Sequence, residues 1–381
     1  MNKNIRPLLE QSQTLNVTFL PFLTAIQSLN EKTQVLKSSL AFTLVWKSDT
    51  MIWNPSEYNN TSGFRISPED TWIPELIIQN TIGDTYELRT FTFMKLAIVS
   101  NGVTIWNTGG NTDTSCTVDL SRYPFDTQTC HIIIGKSSSL DYDLMMIPVE
   151  DKISRQLYDE NGEWELLDTA VTYHVVHEQM TFLKCSIVLK RRPLYYILNI
   201  LLPVILLSLM NVLSFKLSIS CGERMSFSVA LFLTFMVLLN VVADEMPKVS
   251  KSISYLQLYI NVQLAVGMIT TTISVILVHA THSKKDDVTG LVLAFYNFCK
   301  LCAKKQEHDR SKISPEDESQ HEENQCDVID TKQIHLTSGI ENKDIVQSMV
   351  DVVNVIDDTL FWIFLMLFVL FTLVLLLFMF I

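Results

Sequence analysis

The sequence predicts two architectures in series: an antiparallel β-sandwich over its first half, then a bundle of four transmembrane helices. Two observations carry this reading. Residues 1–192 run in short apolar, β-branched and aromatic stretches punctuated by Asn, Gly, Asp and Pro, for example SLAFTLVW, LAIVSNGVTIW, CHIIIG and FLKCSIVLK, which is the rhythm of strands closed by turns. From Pro193 onward the apolar residues gather into four long blocks. A block of about 20 apolar residues, rising about 1.5 Å each in a helix, covers the roughly 30 Å hydrocarbon core of a bilayer. With 48% hydrophobic and 18% charged residues in 381, the composition is that of a membrane protein.

The blocks lie at about Leu194 to Leu217, Met225 to Val242, Ile253 to Val278, and Leu360 to Ile381, the last without a charged residue. Pro203 falls inside the first, where it removes a backbone hydrogen bond and bends the helix. The expected organisation is an extracellular domain at 1–192, helices one to three at 193–281, a cytoplasmic loop at 282–358 and a fourth helix at 359–381. Residues 283 to 343 are polar and rich in Glu, Asp, Ser, Gln and Lys, so much of that loop is expected to be disordered. Ile345, Met349, Val352, Val353 and Ile356 then recur at helical spacing and predict an amphipathic helix running into the last span.

Orientation follows from Lys284, Lys285, Lys300, Lys304 and Lys305, which mark the loop after the third span as cytoplasmic. Four spans then leave the N-terminal domain and the C-terminus outside a plasma membrane. The first twenty residues carry no secretory pattern, and the chain is read as mature or trimmed. Asn16, Asn59 and Asn60 head glycosylation sequons in the region read as extracellular. The net charge of −12 excludes nucleic acid as a partner and fits an acidic surface that collects cations.

On the second apolar helix, Glu223, Ser226, Ala230, Leu233, Val237, Asn240 and Asp244 recur at intervals of three and four and share one face. Copies arranged about an axis would place a carboxylate ring at each mouth, with a Leu233 and Val237 constriction that gates by dewetting between them. On an isolated helix the same spacing describes a packing face. Glu245, beside Asp244, adds an expectation of calcium permeation. An enzyme finds no support, because the sequence holds no Gly-rich phosphate loop, no HExxH and no nucleophile elbow, and no cofactor is expected. A membrane-anchored adhesion module explains a sandwich and one span, not four.

Cys116 and Cys130 enclose TVDLSRYPFDTQT in the portion where an oxidising compartment favours a disulfide. Tyr123-Pro124-Phe125-Asp126, followed by Gln128 and Cys130, resembles the signature loop of the Cys-loop pentameric ligand-gated ion channels, closest to nicotinic acetylcholine receptors. TQVLKSSLAFTLVWKSDTMIWNPSEY, DTWIPELII, NGEWELL and KRRPLYYILNILLPVILLS extend the resemblance along the chain. It implies an immunoglobulin-like sandwich of about ten strands, a homo- or heteropentamer with four further subunits as partners, agonist sites between neighbours, and a pore lined by the second span. Gly222-Glu223-Arg224 resembles the family's cation-selective mouth, where anion-selective relatives carry Pro-Ala, so cations are the expected permeants. By resemblance, Glu31, Tyr123, Pro124, Phe125, Asp126, Arg191 and Pro247 fall in the layer that couples ligand to pore. Glu31 with Arg191 also reads as a plain surface salt bridge, worth about 0–1 kcal/mol.

The family's ligand pocket maps onto Ala41, Thr43, Gln79, Ser137, Tyr173 and His177, and most of its aromatics are gone. Ala41 and Ser137 stand where Trp is usual and Gln79 where nicotinic receptors have Tyr. The capping loop from Val171 to Met180 is short, without adjacent cysteines or paired tyrosines. Such receptors hold cationic amines against aromatic faces, and a pocket without them favours larger apolar ligands. In this the chain is similar to the cephalopod chemotactile receptors, which sense poorly soluble or bitter molecules. An accessory subunit that binds no agonist is the alternative. His174, His177 and Glu178 allow a zinc-gated variant or a plain polar edge, since strand residues three apart face opposite sides. Cys299 and Cys302 read as palmitoylated, metal-binding or inert thiols, and Cys185 and Cys221 have no evident partner.

Overall fold

The computed structural model describes residues 3–83, 87–88, 94–137, 142–177, 180–217, 223–245, 254–282 and 339–380. They form two compact units, one of residues 1–199, 241–256 and 378–381, the other of residues 200–240 and 257–377.

The first unit is built on ten strands: β1 (Leu15–Asn30), β2 (Val35–Ile52), β3 (Gly63–Ile66), β4 (Leu76–Ile78), β5 (Leu96–Val99), β6 (Asn101–Ser115), β7 (Thr127–Lys136), β8 (Leu144–Pro148), β9 (Trp164–His177) and β10 (Met180–Arg191). They make a six-stranded sheet in the order β3-β5-β6-β2-β1-β8 and a four-stranded sheet in the order β4-β7-β10-β9. All pairings are antiparallel except β1 with β8.

Alternation does the sorting. Along β1 and β2, Val17, Phe19, Leu23, Leu36, Leu40, Phe42 and Leu44 are buried, and successive side chains of a strand point to opposite faces. These residues form one apolar cluster with Ile132 and Ile134 of β7 and with Leu183, Cys185, Ile187 and Leu189 of β10. The two sheets therefore close face to face over a common core, with Phe19 stacked on Phe42 at 5.4 Å. Turn chemistry sets the register: Thr33 N donates to Asn30 Oδ1 at 2.8 Å in the β1–β2 turn, and Gly102, at φ 84°, makes the tight turn into β6.

The second unit contains most of four helices long and apolar enough to cross a membrane, with spans at Leu194–Lys216, Glu223–Asp244, Tyr255–Val278 and Val353–Met379. In the first, a π turn at Ile197–Leu201 precedes the α-helix Leu202–Leu213. The helix absorbs the missing amide of Pro203 there by widening one turn. Val212, Phe215, Leu277, Val353, Ile356, Leu360 and Phe364 pack the first, third and fourth spans together. Polar links add to them: Thr270 Oγ1 donates to Asn211 Oδ1 at 2.8 Å, and Tyr259 OH lies 3.0 Å from Thr372 Oγ1. The expected helix ahead of the last span is continuous with it as Gly339–Phe380. The stretch read as disordered lies, through residue 338, outside the described residues.

Gly135 of β7 is buried, and a Cβ there would overlap the ring of Phe182 on β10. Only a residue without a side chain lets that ring lie flat on the strand. Gly135→Ala is expected to cost about 1–3 kcal/mol, read as a lowered Tm of the full chain. Gly162→Ala, where a Cβ meets nothing within 4 Å, should shift stability by less than about 0.5 kcal/mol.

Candidate functional site

The last residue of β10 is a buried cation with three carboxylate partners. Arg191 is completely buried as a side chain, and its Nε and Nη2 donate to Asp126 Oδ1 and Oδ2 at 2.8 and 3.2 Å. Nη2 also meets Glu31 Oε1 at 2.5 Å, and Nη1 meets Glu163 Oε1 at 3.1 Å. Its guanidinium carbon Cζ lies 4.3 Å from the Trp164 ring centroid, 5.0 Å from that of Tyr123 and 5.2 Å from that of Tyr196, so aromatic faces take the surfaces that carboxylates leave open. The expectation of a surface salt bridge between Glu31 and Arg191 is thus corrected: the pair exists, but inside the fold.

Local sequence explains how each partner arrives. Glu31 opens the β1–β2 turn. Asp126 ends the Tyr123-Pro124-Phe125-Asp126 segment, whose Tyr123–Pro124 bond is cis. Gln128 Nε2 fixes it by donating to Asp126 Oδ2 at 2.6 Å and to Asp119 O at 2.7 Å, and the Cys116–Cys130 disulfide closes the loop. Glu163 is held because Asn161 Oδ1 accepts from Glu163 N and Trp164 N at 2.8 and 2.9 Å. On its far side the loop meets residue 255, whose backbone N donates to Ser121 O at 3.0 Å. Lys32 Nζ donates to Asp244 O at 3.4 Å.

One guanidinium facing three carboxylates, out of water, sets the charge states. Burial opposes the charge on Arg191, but the hydrogen bond and charge of Asp126, with Glu31, outweigh it and push its pKa up. Burial raises the Glu31 carboxyl above the usual 4.5, with Arg191 pulling the other way. Burial also raises the Tyr123 phenol, keeping it neutral. Glu163, Trp164 and Tyr196 were not singled out from the sequence. NGEWELL stood out only as a string, and strand pairing of Arg191 with Trp164 is what brings it to the arginine.

Along the helix Glu223–Glu245, Glu223, Ser226, Ala230, Leu233, Val237, Asn240 and Asp244 are all exposed on the single chain, with Leu233 at 58% and Val237 at 63%. Arg224, Ser228, Leu231, Phe235 and Val242 are buried on the other side. Arg224 holds a second ion pair that the sequence reading missed. Its Nη1 and Nη2 donate to Asp357 at 2.7 and 2.9 Å, its Nε to Ser274 Oγ at 3.2 Å, and its plane lies 5.3 Å from Phe215. An arginine buried at a membrane boundary requires a counter-ion, and Asp357, at the start of the last span, was the signal available.

Of the six residues mapped to a ligand pocket, the five with described side chains do not come together within one chain. Ala41 and Thr43 lie on β2 of the six-stranded sheet, and Thr43 Oγ1 donates to Asn107 Oδ1 at 2.8 Å. Gln79 and Ser137 are exposed at the ends of β4 and β7 in the other sheet, with backbone amides bonded to Ile133 O and Glu75 O at 2.8 and 3.0 Å. Tyr173 lies on β9, 48% exposed. The backbone of His177 ends β9, but its side chain lies outside the described residues, as do Glu178, Pro247, Cys221, Cys299, Cys302 and the side chain of Glu245. Cys185 is a buried free thiol, pushed up to about 12 by burial. Asn16, Asn59 and Asn60 are exposed.

A ten-stranded sandwich with a disulfide-closed loop at its buried arginine, followed by four membrane-capable helices, is the architecture of a multi-pass membrane protein with a large folded N-terminal domain. Residues 1–193 match the neurotransmitter-gated ion-channel ligand binding domain, and residues 200–328 match the neurotransmitter-gated ion-channel transmembrane region. The chain belongs to the neurotransmitter-gated ion-channel family, with its sandwich extracellular and its helices in the plasma membrane. It is 28% identical over 286 residues to neuronal acetylcholine receptor subunit beta-2 of Carassius auratus, covering 73% of this chain and 61% of that protein. It is 28% identical over 330 residues to human neuronal acetylcholine receptor subunit beta-3, covering 84% and 71%. Against acetylcholine receptor subunit beta-like 1 of Drosophila melanogaster it is 26% identical over 285 residues, covering 73% and 54%. The chain thus spans less than two thirds of the first of these relatives and of the Drosophila protein.

Three outcomes are expected. Asp126→Asn, which leaves Arg191 short of charge in a buried site, should cost about 3–5 kcal/mol, seen in thermal unfolding of the full chain. Because Glu31 titrates high when folded, the folded protein binds more protons than the unfolded chain between about pH 4.5 and that raised value. Stability should fall as pH rises through the window and level off above it. Glu31→Gln should flatten that slope; an unchanged slope rules the assignment out. Separately, Asp357→Asn should cost about 3–5 kcal/mol, and a double-mutant cycle with Arg224→Gln should show the two losses to be strongly non-additive.

Proposed function

We propose that the chain is a subunit of a cation-selective, ligand-gated channel, assembled as a pentamer with its second span around the axis. The observation that carries this is the stripe from Glu223 to Asp244. It leaves apolar Leu233 and Val237 uncovered by the rest of the chain and puts an exposed carboxylate at each end. In a five-fold ring those carboxylates concentrate cations at both mouths, and the two apolar residues form the constriction that dewets when shut.

The agonist is a poorly water-soluble, apolar or bitter small molecule, and the role is contact chemosensation. What supports this is substitution in the expected pocket: Ala41, Gln79 and Ser137 supply no aromatic face for a quaternary amine, and a cation stripped of water needs several. The same three residues also fit an accessory subunit that lends only its pore wall. The relatives named as acetylcholine receptor subunits make acetylcholine the control ligand.

Voltage clamp of cells expressing the chain tests both levels. Terpenoid or bitter compounds should evoke a current reversing with the sodium gradient, acetylcholine should evoke none, and Glu223→Gln should reduce the conductance severalfold. A current that follows chloride overturns cation selectivity. Silence alone, with current recovered on co-expression of a nicotinic partner, transfers the agonist site to that partner.

A further inference from the structure

Tyr173 faces away from Ser137. In the pairing of β9 with β10, Tyr173 stands opposite Leu183 and Val175 opposite Thr181, and directly opposed residues project to the same face of a sheet. Leu183, Cys185 and Val171 are all in the core, so Tyr173, Val175, Thr181 and Leu183 occupy its face. On β7, Ile132 and Ile134 are the core residues. Ile133 and Gly135 are in the opposite phase, where Gly135 meets Phe182, and Ser137 continues that phase.

Core-facing apolar side chains are normally covered. Toward the tip of this hairpin they are not: Tyr173 is 48% and Val175 is 65% exposed. With Met145 and Met146 of β8, and with Thr181 and Leu183, they line a partly open cavity of about 270 Å³. Among the described residues, the Tyr173 phenol is the one ionisable group that lines it. Two thioethers give it adaptable walls. The Tyr173 hydroxyl donates to Met146 O at 3.3 Å, a long bond for an O–H donor and one that a ligand oxygen can replace.

We propose that this cavity binds an uncharged, largely apolar organic molecule inside a single subunit, on the opposite face of the hairpin from Ser137, with the Tyr173 hydroxyl as its polar anchor. Drug-sized ligands fill pockets of about 300–1,000 Å³, so this cavity takes something smaller, on the order of 10–15 non-hydrogen atoms. A charged ligand would lose its hydration against walls that return nothing. A quaternary amine would find one aromatic face. The proposal rests on the apolar-agonist reading for its physiological role, while the binding itself is tested without any current.

The test uses the full chain in lipid nanodiscs, thymol as probe, and two single-cysteine reporters, Val175→Cys and Ser137→Cys, each modified by methyl methanethiosulfonate and followed by mass spectrometry of the labelled peptide. Saturating thymol should slow modification at position 175 about fivefold or more, as mass action requires at a few times Kd, and leave position 137 unchanged. Adding Thr181→Trp, which fills the cavity, should abolish the protection. Protection at 137 in place of 175, protection that survives Thr181→Trp, or none at 175 overturns the proposal. Protection in a protein that passes no current, alone or with a nicotinic partner, leaves the site standing and removes the apolar-agonist reading.

Discussion

Burying a guanidinium costs several kcal/mol unless it finds partners for every donor, and Arg191 is placed where that cost organises its surroundings. Its partners come from the β1–β2 turn, the disulfide-closed loop, the segment leading into β9 and the first turn of the first span. None of these lies close to the others in sequence. Each must be in register for the arginine to stay paired, so a displacement of any one is felt by all. Three carboxylates around one cation leave surplus negative charge. The raised Glu31 pKa and the Tyr196 hydroxyl donating to Glu163 at 2.6 Å are how that surplus is absorbed.

Much of this was legible from the chain because it obeys short periods. The sandwich, four spans, the disulfide and the helix running into the last span all follow from alternation, run length, cysteine placement and spacing of three and four. Glu163 and Asp357 were not legible, since no periodicity reports which carboxylate a distant arginine chooses. Arg224 was read as a flank of the stripe and not as a cation needing a partner. That question is a physical one a sequence can pose: an arginine buried at a membrane boundary needs an acidic partner, and Asp357 and Asp358 stand within the first turns of the last span.

The ligand residues show a different limit. A map by resemblance places Tyr173 beside Ser137 in one pocket, because it follows order along the chain. A strand has two faces, and a shift of one residue exchanges them. The observed register, with Tyr173 opposite Leu183, assigns Tyr173 to the core side. Ala41 and Thr43 sit on the other sheet altogether, so those positions meet Gln79 and Ser137 only if a second copy of the chain supplies one of the two faces.

That separation bears on how ligand chemistry can change while the rest of the fold is kept. The core under β9 and β10 depends on Val171, Leu183, Cys185 and Ile187, and the arginine cluster depends on the far end of the same strands. Between them, the described residues Tyr173, Val175, Thr181 and Leu183 carry no full charge and no disulfide. Substitutions there alter the size and polarity of a cavity without unpairing Arg191 or opening the sandwich. Aromatic cages are costly to rebuild because several rings must converge on one cation, whereas an apolar cavity needs only volume and a single anchor. A receptor that loses its rings therefore retains an accessible route to a new, uncharged class of ligand.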